Sequence, residues 1–305
     1  MMETLDSTTS SSSRTSDSKP QSSNSTLSPL PPTVARLWRP AAQRNLRNQW
    51  SKLASYRNQW SSVSSIGRSR ATALVNSHLS QRYMPNMDLG VLSDMPDIRN
   101  RACFKLSKQQ ELLRSQLLST YKDMVGVVSD IFNTTRSMRC FFKGSNNSPL
   151  LQFSSFSEDK SESGDGGGIP VFSFLSIASH EKLAEELVQM FKWELCLKRL
   201  LVLEFLSLGY DISQGNQLVW SNELYVGEFD HLQNCNLYCE ETCRPVPPRL
   251  RDGKSDMEAL KFDNQPMPEV LQVYLTAWLA EVNIDTNRVD EIFAVVGEEM
   301  HVRIF

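Results

Sequence analysis

The chain has 305 residues, of which 40% are apolar and 22% charged, and its net charge is −3. A chain of this length holds one large domain or two small ones, and its apolar fraction is slightly low for a protein that is folded throughout. We therefore expect part of it to be disordered. We expect no secretory signal peptide, because the first residues lack an apolar stretch, and no membrane span, because the longest apolar run is short and charged.

The charge is distributed unevenly along the chain. Residues 1–17 carry a net charge of −2, and residues 18–87 contain ten basic residues and no acidic one. Residues 88–305 must then carry −11. A basic segment beside an acidic body is typical of chains that contact a polyanion or an acidic partner.

Residues 1–33 are rich in Ser and Thr and contain the sequence SPLPP near their end. They cannot bury enough apolar surface to offset the entropy lost on ordering, so we predict a disordered arm. Ser28 precedes a proline there, and Ser148 precedes another in a later flexible segment. Both serines are candidate sites of proline-directed phosphorylation.

Residues 34–87 contain the pentapeptide RNQWS twice, ten residues apart. Ten residues leave a helix about 80° short of three full turns, so the repeat is not a structural period. A helical projection of residues 40–64, with Pro40 at the first helical position, gives an apolar arc about 140° wide. We predict that this arc anchors the helix on the protein's own body or on a partner, through Leu46, Trp50, Leu53, Tyr56 and Trp60.

The basic residues of the same segment are candidates for contact with a polyanion. They are Arg44, Arg47, Lys52, Arg57, Arg68 and Arg70. Three interpretations are open: a solvated charged surface, a contact with nucleic acid or another polyanion, and an Arg-rich and Ser-rich organelle transit peptide. Glu3, Asp6 and the late onset of arginines argue against the transit peptide.

The first helical part of the body is predicted at residues 88–143. Its helix begins with a capping box formed by Ser107 and Gln110, and apolar residues follow at helical spacing. Residues 144–169 are rich in Ser, Gly and acidic residues, and we predict a linker there.

The C-terminal helical part is predicted at residues 170–305. Its helix from Ser179 to Gly209 is apolar on most sides and should be the core element. A short helix is predicted at 221–232, followed by two more from Pro268 and at about 286–296. The predicted fold is all-α, a bundle-like body of about four to six helices.

The sequence offers little for catalysis. His180-Glu181 begins like the HExxH helix of a zinc protease, but Ala184 stands where the second histidine is needed. The GDGGG sequence at 164–168 has no following Lys-Ser/Thr, so we predict a flexible linker and not a phosphate-binding loop. We expect neither an enzyme nor a cofactor.

A weak metal-site hypothesis rests on four residues spaced H-x3-C-x3-C-x3-C: His231, Cys235, Cys239 and Cys243. Zinc favours these ligand types. On one helix the first and last would lie about 18 Å apart, so a bend in the chain is needed to bring all four to one ion. Otherwise we expect the six cysteines to be reduced thiols of an intracellular protein.

These patterns favour a non-enzymatic interaction or adaptor protein in the nucleus, in chromosome or cell-division machinery. It would bind other proteins through amphipathic helices, and nucleic acid through residues 34–87. Two alternatives remain open: a helical protein of the mitochondrion or chloroplast that carries a transit peptide, and a zinc-binding protein.

Overall fold

In the computed structural model the chain is built from α-helices and two short antiparallel strand pairs. The structure describes residues 32–95, 97–143, 150–153, 164–209, 218–250 and 266–303. Within them, the six α-helices are α1 (Pro32–Tyr83), α2 (Ile98–Arg136), α3 (Ile177–Ser207), α4 (Glu228–Asn234), α5 (Pro268–Ala280) and α6 (Thr286–Met300). The predicted all-α fold is confirmed. Ser28, Ser148 and all but the last two residues of the predicted disordered arm lie outside the described residues.

Helix α1 is much longer than the predicted helix at residues 40–64. At 1.5 Å per residue its 52 residues span about 78 Å. Pro40 lies inside the helix and not at its first position, so that prediction is wrong. The proline is tolerated because only two helical turns precede it, and the hydrogen bond that it removes lies close to the helix end.

Helices α1 and α2 form an antiparallel hairpin. Asn45 donates a hydrogen bond to the carbonyl oxygen of Ser137 at 2.9 Å near one end, and Gln110 donates to Gln81 Oε1 at 2.7 Å near the other. The predicted capping box is therefore wrong, since α2 begins nine residues before Ser107. The Gln110 side chain is used between two helices and not at a helix start.

Two short strand pairs follow the helices: one comes after α2 and the other after α4. They are β1 (Cys140–Lys143), paired antiparallel with β2 (Leu150–Phe153), and β3 (Tyr238–Cys239), paired antiparallel with β4 (Arg244–Pro245). The register places Cys140 opposite Phe153 and Tyr238 opposite Pro245.

The predicted linker at 144–169 needs correction where it is described. Besides containing β2, it ends in a packed loop and not in a flexible segment. Gly164 and Gly166 have φ values of +67° and +72°, and an added Cβ on them would lie 2.4 Å from the Phe141 ring and 2.2 Å from the Trp38 ring. Only glycine allows the backbone this close approach at positive φ.

Helix α3 is the central element, as predicted. Its N-cap is Ser176, whose hydroxyl accepts a hydrogen bond from the amide of Ser179 at 3.3 Å. Gly209 follows the C-cap residue with φ +77°, which is the left-handed conformation that ends many helices. Among the described residues, no helix is both long and apolar enough to cross a membrane.

The remaining helices differ from prediction at their bounds. The short helix expected at 221–232 is α4, which begins only at Glu228. Pro268 opens α5 as predicted. Helix α6 runs past Gly297 to Met300, because the left-handed residue that ends it is His301 and not the glycine.

Aromatic side chains join α1 directly to α3, α5 and α6. The ring of Trp50 meets Phe293 of α6 edge-on at 5.8 Å, and Trp60 meets Phe191 of α3 at 5.3 Å. Trp278 of α5 donates through its indole nitrogen to the carbonyl oxygen of Ser64 at 3.0 Å. The core is therefore shared by both ends of the described chain.

We predict that Gly67→Ala destabilises the protein. An added Cβ would lie 2.6 Å from Cζ2 of the buried Trp278 ring, where α1 crosses α5. Such overpacking costs about 1–3 kcal/mol, more than the helix propensity that alanine adds. The matched control is Gly126→Ala in α2, where nothing lies within 4 Å; it should raise the free energy of unfolding by about 0.5–1 kcal/mol. Urea denaturation measures both, and equal effects would contradict the close contact.

Candidate functional site

The predicted anchor residues on α1 pack against the protein's own body. Leu46, Trp50, Leu53 and Trp60 are buried in the core, and Tyr56 is partly buried against it. Trp60 also donates a hydrogen bond to Glu281 Oε1 at 3.2 Å. The sequence left open whether these residues pack on the protein's own body or on a partner, and here they pack on the body. A partner would reach these side chains only if α1 left the core.

The structure separates the predicted polyanion contacts into two groups. Four of the cations are exposed, namely Arg44, Arg47, Lys52 and Arg68. Of these, Arg47 also donates to the carbonyl oxygen of Met300 at 3.5 Å and lies 5.0 Å from the centre of the Phe172 ring. Arg57 instead pairs with Asp290 at 2.6 Å, and Arg70 donates to the carbonyl oxygen of Gln116 at 2.6 Å. The exposed cations are spread over about 36 Å of helix, so they do not form one dense patch.

The four candidate zinc ligands are not brought together. His231 lies in α4 with Nδ1 3.1 Å from the Tyr225 hydroxyl, Cys235 is buried at the end of that helix, and Cys243 is exposed. In the described part of the chain, no three His, Cys, Asp or Glu side chains are placed to hold a metal ion. No disulfide joins any of the six cysteines, and burial raises the pKa of the Cys235 thiol, which disfavours the thiolate that a metal needs.

An open cleft of about 530 Å³ lies between α1, α2 and α4. Ser129, Asp130 and His231 line it, which are the residue types of a hydrolytic triad. Among the described residues no hydrogen bond joins any two of the three, and His231 is engaged with Tyr225 instead. The nucleophile–base contact that activates a serine is absent from this cleft as it is described.

A buried ion pair fixes the loop before α4. Arg199 of α3 donates to Glu228 Oε1 at 2.8 Å and to the carbonyl oxygens of Trp220 and Asn222 at 2.9 and 2.7 Å. Glu228 also accepts from the Tyr121 hydroxyl at 2.7 Å. Because every charge here is satisfied by neighbouring groups, the cluster holds α2, α3 and α4 together and leaves no group free for catalysis.

A second buried pair lies one residue earlier on α3. Lys198 Nζ is 3.1 Å from Glu194 Oε1 and donates to the carbonyl oxygen of Trp278, while Glu194 Oε2 accepts from the amide of Asn283 at 3.1 Å. Burial raises the pKa of the Glu194 carboxyl and lowers the pKa of Lys198. Sequence reasoning missed both pairs, although their signal was charges inside an otherwise apolar helix.

His180 is the most strongly perturbed histidine among the described residues. It is fully buried between the rings of Trp50 and Phe172, at centroid distances of 6.2 Å to each. Burial lowers its pKa to about 4, with Glu299 acting weakly in the opposite direction. Glu299 itself accepts hydrogen bonds from the amides of residues 173–175. The imidazole is therefore neutral, and it packs between aromatic rings.

We predict that this histidine makes the protein acid-sensitive. Its folded pKa of about 4 lies below its ordinary value of 6.5, so the unfolded state takes up the proton first as pH falls. The free energy of unfolding should therefore decline from about pH 6.5 downwards, by roughly 3 kcal/mol once pH is below 4. In His180→Phe this part of the decline should be missing. Urea denaturation between pH 7.5 and 4.5 measures it, and identical slopes in both proteins would contradict the assignment.

The far end of the α1–α2 hairpin projects from the body. From residue 79 to 109, no described residue is buried. Arg82 still contacts the body, since it donates a hydrogen bond to the carbonyl oxygen of Pro266 at 3.5 Å. We call residues 79–109 the hairpin end. The connector is ordered by its own backbone hydrogen bonds, such as Leu92 to Leu89 at 2.9 Å and Met95 to Leu92 at 3.0 Å.

The hairpin end exposes an unusual number of large apolar side chains. Val91 is 94% exposed and Phe104 60% exposed. The other exposed members are Tyr83, Met87, Leu92 and Met95. Clustered exposed apolar residues mark interaction sites, and methionine is common on adaptable binding surfaces. The sequence signal was the connector MPNMDLGVLSDMP, which is apolar without a helical or strand period.

No protein-family model matches this sequence, and no curated protein matches it either. The hairpin end is therefore the candidate functional site on physical grounds alone.

Proposed function

We propose that the protein is a non-enzymatic helical adaptor that assembles with a partner protein through the hairpin end. The observation that carries this proposal is the exposure of Tyr83, Met87, Val91, Leu92 and Met95 on an ordered connector. Burying side chains of this size is worth about 1.5–3 kcal/mol each when burial is complete, and the protein's own body leaves them in water.

The other described features support a binding role over a catalytic one. Lys198 and Arg199 of the core are paired with Glu194 and Glu228, and no hydrogen bond of the described residues joins any two of Ser129, Asp130 and His231 in the open cleft. Contact of the four exposed α1 cations with nucleic acid stays a prediction, and so does a role in chromosome or cell-division machinery.

For the compartment we propose the nucleus, with residues 34–85 retained in the mature protein. Retention is supported by the packing of α1, which supplies Trp38, Trp50 and Trp60 to the core, whereas the nucleus itself stays a prediction. Removal of a transit peptide ending near residue 85 would take these rings away, and the loss of one such ring costs about 3–5 kcal/mol.

The proposal predicts loss of partner binding without loss of stability when the connector is made polar. Val91→Asp with Met95→Asp should lower the recovery of specific partners about tenfold or more, because burial of two charges at an interface is strongly unfavourable. Affinity purification of the tagged full chain with quantitative mass spectrometry measures this. The unfolding free energy should change by less than about 0.5 kcal/mol, since both sites are exposed.

The matched control is Val226→Asp with Leu250→Asp. These residues are also exposed, at 93% and 60%, but they lie on loops far along the chain from the hairpin end. The control should recover the same partners as the parent chain. If both double variants lose the same proteins, or neither loses any, the hairpin end is not the binding site.

Retention of α1 is tested separately. N-terminal sequencing of the protein purified from its native cells should find a start before residue 34. A start near residue 85 would reject the nuclear adaptor and favour the organellar alternative.

A further inference from the structure

We propose that the partner contributes an acidic amphipathic helix, which lies along the exposed face of the first turns of α2. This inference rests on the proposed function, because it names the chemistry of the partner at the same hairpin end. It commits to a surface that we call the stem face, made of Arg101, Phe104, Lys105, Lys108 and Leu112. Leu112 lies in the turn of α2 that directly follows the hairpin end.

The spacing of these residues places them on one side of α2. Phe104, Lys108 and Leu112 follow one another at four-residue intervals, with Arg101 one turn earlier and Lys105 next to Phe104. The five residues lie within roughly 100° of the helix circumference. Phe104 and Leu112 are 60% and 59% exposed. The Lys108 ammonium lies 4.7 Å from the centre of the Phe104 ring and leaves much of that ring in water.

The stem face is basic. Between Ile98 and Leu112 the sequence has four cations and one carboxylate, Glu111. Arg99 is engaged, since it donates to the carbonyl oxygen of Met87. Arg101, Lys105 and Lys108 form no ion pair with any described residue. Carboxylates on a partner would find three cations around two apolar anchors.

The hairpin end and the next turn of α2 resemble a helical bundle from which one helix is missing. Two antiparallel helices cover each other on one side only, and apolar residues such as Phe104 and Leu112 remain on the outside. These two are about 12 Å apart along the helix, which matches apolar residues two turns apart on a third helix. A second copy of this chain fits less well, because like stem faces would bring the same cations together.

The test uses the purified full chain and three fluorescein-labelled helical peptides of about 21 residues with leucine at the a and d heptad positions. The remaining positions are rich in Glu in the acidic peptide, in Lys in the basic peptide and in Gln in the neutral one. Fluorescence anisotropy at about 0.05 and 0.15 M salt gives the dissociation constants. We expect the acidic peptide to bind at least about tenfold more tightly than the basic one, and the preference to shrink at the higher salt.

Two variants assign that binding to the stem face. Lys105→Glu with Lys108→Glu should reverse the preference, so that the basic peptide binds more tightly. Phe104→Ala with Leu112→Ala should weaken every peptide about tenfold or more, because the apolar anchors are gone. The matched control is Arg44→Glu with Lys52→Glu, which makes the same charge change at exposed positions on α1 and should leave the preference intact. Circular dichroism checks that each variant keeps its helix content.

Each other result overturns the inference and leaves the proposed function to its own test. Equal binding of acidic and basic peptides that depends on Phe104 and Leu112 would keep the apolar site and reject the acidic partner. Loss of acidic-peptide binding in the α1 control alone would move the site to α1. No binding of any peptide at about 0.1 mM would reject a helix as the occupant, whereas partner recovery through the connector is judged by the Val91 and Met95 variant.

Discussion

The packing of α1 against elements from the far end of the chain is the constraint on which the other features depend. Trp50 contacts Phe293, and Trp60 donates to Glu281 across 221 residues of sequence. Trp278 of α5 donates a hydrogen bond to the carbonyl oxygen of Ser64 in α1. Because α1 is held firmly at these points, its last turns can extend beyond the body with α2 alongside, and the hairpin end gains a rigid base.

Arg199 and Lys198 are adjacent cations of α3, and each orients a different neighbouring element. Arg199 reaches Glu228 and the loop before α4, whereas Lys198 reaches Glu194 and the end of α5. Buried pairs of this kind add little net stability over apolar replacements, but misplacing either partner leaves an unpaired charge in the core. They therefore specify one arrangement of the helices around α3. Apolar packing alone distinguishes such arrangements less sharply.

Much of the fold follows from the sequence, because apolar periodicity and cap residues act locally. Gly209 and Pro268 were placed at the correct helix ends for that reason. The prediction that α2 begins at a Ser107 cap was wrong, because tertiary contacts with α1 extend the helix towards its N-terminus beyond this local capping pattern. The prediction of a flexible linker around Gly166 was wrong, because a glycine that permits close packing looks the same in sequence as one that permits motion. The hairpin end could not be predicted, since exposure of an apolar residue depends on which elements the body leaves uncovered.

The separation of 221 residues between Trp60 and Glu281 also has a consequence for biosynthesis. Ribosomes add about 5–20 residues per second, so Trp60 emerges roughly 10–40 s before Glu281. Within that interval α3 arrives first with Phe191, and Phe293, which meets Trp50, comes later still with α6. Pairing of α1 with α2 can cover part of this segment in the meantime. The tryptophan face can reach its final packing only after the last helices have left the ribosome.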